Sequence, residues 1–104
     1  MASVSESGWE VIEKGGRATS LLVQLRQRSY VLPWGLFLFA EGTDTEVRAL
    51  FHTHTVLVQG AGLMTLLGYV AEQRVSELVE PDRTVKFTKS SGPQVTAVSV
   101  TENK

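Results

Sequence analysis

Two histidines two residues apart, His52 and His54, are the sharpest chemical feature of this sequence. Side chains alternate between the faces of an extended strand, so both imidazoles would fall on one side and reach a single metal ion. A zinc or iron centre needs a third ligand, for which Glu46, Asp44 and Glu41 stand nearest in the chain. The same face also carries Leu50, Val56 and Val58, so the pair equally fits partly buried or strand-edge histidines with hydrogen-bond partners.

Three further groups could do chemistry. Gln24, Arg26 and Arg28 share one face of an extended run, with Tyr30 and Trp34 close behind. Cations interleaved with aromatic rings bind single-stranded nucleic acid through charge and stacking, which makes Arg26, Arg28, Tyr30 and Trp34 the candidate residues. Solvated or cross-strand-paired arginines are the plainer account. Gly60-Ala61-Gly62 lies between a strand and a helix, where free backbone N–H groups can hold a phosphate. A dinucleotide fingerprint needs a third glycine where Thr65 stands, and a tight connection explains the two glycines present. Trp9 and Trp34 are the two tryptophans, a residue type enriched both at binding hot spots and in cores. Glu72, Glu77, Glu80 and Asp82 read as a solvated helix face and its end. The sequence has no nucleophile elbow, Walker loop or zinc-protease motif, and it implies no cofactor.

Composition narrows the setting. The chain has 104 residues, enough for one hydrophobic core. The apolar share of 42% and charged share of 20% exclude wholesale disorder. A net charge of -1 gives no global bias towards nucleic acid. No cysteine is present, which excludes disulfides, thiolate metal sites and a cysteine nucleophile. The start of the chain lacks the basic and apolar regions of a signal peptide. The most apolar run, residues 31–40, is half of what a spanning helix needs. A soluble, cytoplasmic protein without a membrane anchor is expected.

The elements that would position these groups form an α+β domain over residues 1–104, with 1–8 and 102–104 expected to be flexible. Residues 18–28 alternate as a strand, with Leu21, Val23 and Leu25 on one face. Residues 30–41 form a second extended run, regular after Pro33, with Leu36, Phe37, Leu38 and Phe39 apolar on both faces. Residues 46–59 read as the longest strand. Leu63, Leu66, Leu67, Val70, Ala71, Val75 and Leu78 recur at helical spacing, which predicts an amphipathic helix over 63–79. Residues 85–89 and 94–101 read as two last strands around a turn at 90–93. Residues 8–14 suit one helical turn or an edge strand. The result is about five mostly antiparallel strands in a bent sheet or open small barrel, with one helix after the third strand.

That layout resembles the Sm-like barrels, which combine five bent strands with a helix, although in those proteins the helix precedes the strands. The resemblance implies a ring-forming, single-stranded nucleic-acid binder. The residues themselves favour a different expectation. Apolar side chains on both faces of residues 36–39 exceed what one helix covers. This points to a non-enzymatic interaction domain that forms homo-oligomers, with a protein partner as another possibility. A metal-dependent enzyme built on His52 and His54 stands as the third alternative.

Overall fold

The computed structural model describes residues 8–81 and 93–103. The described residues form eight strands and one α-helix, arranged as two four-stranded sheets that do not close into a barrel. The first sheet contains β1 (Trp9–Val11), β2 (Ser20–Gln24), β3 (Ser29–Pro33) and β7 (Val75–Val79), in the order β1-β7-β2-β3. The second contains β4 (Phe37–Gly42), β5 (Glu46–Phe51), β6 (His54–Ala61) and β8 (Gln94–Glu102), in the order β4-β5-β6-β8. All pairs are antiparallel except β2 with β7. Helix α1 (Leu63–Ala71) carries the chain from the second sheet back to the first.

Alternation explains most strands. In β2, Leu21 and Val23 are buried while Leu22 and Gln24 are half-buried, as the sequence pattern predicts. In β5, Val47, Ala49 and Phe51 face inward, and in β6 Val56 and Val58 do the same. Leu63, Leu66 and Val70 of α1 complete one continuous core with both sheets. The 3-10 turn Trp34–Leu36 joins β3 to β4 and so hands the chain from one sheet to the other. Trp34 is the hinge of that crossing. Its ring packs 5.1 Å from Phe37 and 5.3 Å from Phe51, while its Nε1–H donates to the Val75 carbonyl of the first sheet.

Four expectations need correction. About five expected strands, four of them among the described residues, become eight, because two of the long runs each break in two and β1 and β7 are added. The 46–59 run turns at His52 and Thr53 and returns as β6. The 30–41 run is cut at Trp34, so Pro33 ends a strand instead of preceding one. The helix stops at Ala71 rather than 79, because Gln73 turns left-handed (φ 55°) and the Glu72 N–H closes onto the last carbonyls. Val75 and Leu78 belong to β7, where they are buried against the core. At the far end, Glu102 closes β8 and Asn103 is held by its neighbours: its N–H donates to the Thr53 carbonyl and its Nδ2 to the Phe51 carbonyl. Residues 9–11 take the edge-strand alternative. The strand expected at 85–89 lies outside the described residues.

Among the described residues no helix is long and apolar enough to cross a membrane.

Candidate functional site

The hairpin separates the histidine pair. His52 sits in the turn after β5 with an exposed side chain, and its backbone N–H donates to the Leu36 carbonyl. His54 opens β6, half-buried, with Nδ1 sharing a 2.8 Å hydrogen bond with Thr53 and its ring 5.4 Å from Tyr30. The two therefore do not share the face of one strand. The carboxylates expected to complete a metal site, Glu41, Asp44 and Glu46, lie at the opposite end of the β4–β5 and β5–β6 pairings. Among the described residues no three His, Asp or Glu side chains are grouped to hold a metal ion.

The cation–aromatic group is divided as well. The β2–β3 turn puts Arg26 and Arg28 on the surface, lining a shallow cavity of about 570 Å³ with Leu25, Gln27 and Glu80. Glu80 reaches into it, accepting a hydrogen bond from the Arg26 N–H and lying 3.9 Å from its guanidinium. On the neighbouring strands the Gln24 amide donates to Glu77. Tyr30 is half-buried against His54. Trp34 is only 3% exposed and belongs to the core, so in this fold it offers no ring for a base to stack on.

The glycine-flanked helix start is occupied by the protein itself. The Asp44 carboxylate accepts the Gly62 N–H at 3.2 Å, and its carbonyl accepts the Leu63 N–H at 2.8 Å. A carboxylate already placed at the positive end of α1 repels a second anion. Gly62 is left-handed (φ 70°), and a Cβ there would meet Pro93 at 2.9 Å, so the glycine serves a tight connection. Asp44→Ala is expected to lower stability by roughly 1 kcal/mol, as for loss of one capping-type hydrogen bond, in chemical denaturation.

What the structure does bring together is apolar surface. Among the described residues, Val31, Leu36, Leu38 and Phe39 are large hydrophobic side chains left exposed within one short stretch. Leu38 is 57% and Phe39 50% exposed, on the edge strand of the second sheet. The cause is a bulge: Phe37 pairs with Phe51 but Phe39 pairs with Leu50, so Leu38 is an extra residue. Phe37 turns inward onto Trp34, and the two residues after it turn outward. The doubly apolar run was visible in the sequence, and the bulge that exposes it was not.

The outward face of the second sheet continues from Phe39. One register row runs Phe39, Leu50, Thr55, Thr101, and the next runs Glu41, Arg48, Leu57, Ser99. Leu50 and Leu57 are half-buried there, and Arg48 lies 3.6 Å from Glu41 and 3.7 Å from Glu46. No family model, curated protein or solved structure matches this chain.

Proposed function

We propose that this domain is a non-catalytic interaction module that associates with copies of itself through the apolar margin of the second sheet. The observation that carries the reading is the exposure of Leu36, Leu38 and Phe39 on an edge strand and its entry turn. These side chains are about half exposed, so each forgoes roughly half of the about 1.5–3 kcal/mol that full burial gives, and contiguous ones mark surfaces that find partners. The polar alternatives draw less support from the contacts. Arg26 is engaged by Glu80, Trp34 by the core and His54 by Thr53 and Tyr30. A nucleic-acid binder of Sm-like layout and a metal-dependent enzyme on His52 and His54 therefore rank behind it.

Light scattering coupled to size exclusion tests this directly. The wild-type chain is expected to elute as an oligomer. Leu38→Lys should shift it towards the monomer while leaving the thermal unfolding of that monomer intact, since lysine is well tolerated on an exposed edge strand. A wild-type chain that stays monomeric at high concentration would remove the proposal.

A further inference from the structure

We infer that the second copy docks face to face on the outward side of the β4-β5-β6-β8 sheet, with Arg48 of each copy pairing with Glu46 of the other. This rests on the self-association reading and says which surface and which contacts would carry it.

A sheet face left in water normally alternates to polar residues. Here the outward rows carry Phe39, Leu50 and Leu57 in register among Thr55, Ser99 and Thr101, which are neutral and small. The charges on this face form one cluster: Arg48 with Glu41 opposite it in the second row, and Glu46 two residues along β5, pointing to the same side. A patch bearing both signs beside an apolar strip is complementary to itself. A twofold axis brings the same patch of each copy together, so Arg48 can meet an acid of the other copy twice in one interface. The pairs within one chain are solvent-exposed ion pairs, which hold weakly and can exchange partners. Arg48 and Glu46 are 46% and 43% exposed, and their separation of 3.7 Å is longer than a hydrogen bond. Two sheets stacked this way lie about 10 Å apart, which lets Phe39, Leu50 and Leu57 of one copy cover those of the other.

The test is a charge exchange. Arg48→Glu places acid against acid in a pair of like copies, and Glu46→Arg places one guanidinium against another. Each variant alone is expected to self-associate at least roughly tenfold more weakly than wild type, because like charges brought together at an interface are strongly disfavoured. Mixing the two should restore association as a heterodimer. The carboxylate introduced by Arg48→Glu in one chain then faces the guanidinium introduced by Glu46→Arg in the other, and the native pairing of Glu46 with Arg48 survives beside it. Sedimentation velocity reads both results. These are exposed positions, and circular dichroism should show both variants folded. An oligomeric wild type whose variants associate normally, or a mixture that stays apart, overturns the face assignment alone. A monomeric wild type overturns it together with the self-association reading.

Discussion

Trp34→Ala is expected to remove about 3–5 kcal/mol of stability, a large part of what a domain of this size has. Two terms combine. The indole is almost wholly buried and joins Phe37 and Phe51 in a ring cluster with centroid separations of 5.1 to 5.5 Å, so truncation opens a cavity between the sheets. Its Nε1–H also donates to the Val75 carbonyl at 2.9 Å in a buried bond, and that carbonyl loses the partner. Trp34→Phe separates the terms. It keeps most of the ring and should lose only about 1–2 kcal/mol. Chemical denaturation followed by far-ultraviolet circular dichroism checks both. An alanine variant as stable as wild type would show that Trp34 does not join the sheets, and would return it to the pool of surface residues able to stack on a base.

Gly60→Ala is expected to be nearly as severe, about 3 kcal/mol, although it adds one carbon. A Cβ at Gly60 would stand 2.1 Å from the Gln94 carbonyl oxygen and 3.0 Å from the Val95 Cα, both backbone atoms of the paired strand β8. Backbone in a sheet cannot yield as a flexible side chain can, so the β6–β8 pairing must shift at its bulge. Gly68→Ala is the matched contrast. That glycine lies inside α1, and nothing stands within 4 Å of its added Cβ. Alanine there should raise stability by about 0.5–1 kcal/mol through helix propensity. The two substitutions, compared by their denaturation midpoints, should move in opposite directions. Equal effects would mean that crowding at β8 is not what requires Gly60.

The candidate surface was partly legible. A stretch apolar on both faces at residues 36–39 has nowhere to bury two sides in a chain with one helix, and three of those four positions are exposed at 40% or more. The histidine and arginine groups show the opposite outcome. Their spacing is real, but spacing reaches chemistry only if the element between the residues is straight. One turn at His52 and Thr53 takes the two histidines off a common strand, and burial of Trp34 takes its ring away from Arg26 and Arg28 on the surface.

What the amino-acid order determined alone is local. Alternation set the inward residues of β2, helical spacing set the start of α1 after Gly62, and the strand read at 94–101 forms as 94–102. These follow from side-chain geometry along one element, which needs no partner to be read. Only the tertiary structure decided where runs break and which strands meet. The apolar period of Leu63 to Leu78 suits a helix throughout, yet Val75 and Leu78 gain more by joining β1 and β2 as β7. Likewise 46–59 alternates without a break, but folding it at His52 buries Phe51 and Val56 on one core. Burial against distant residues outweighs local propensity by several-fold in energy, and those residues are far away in sequence.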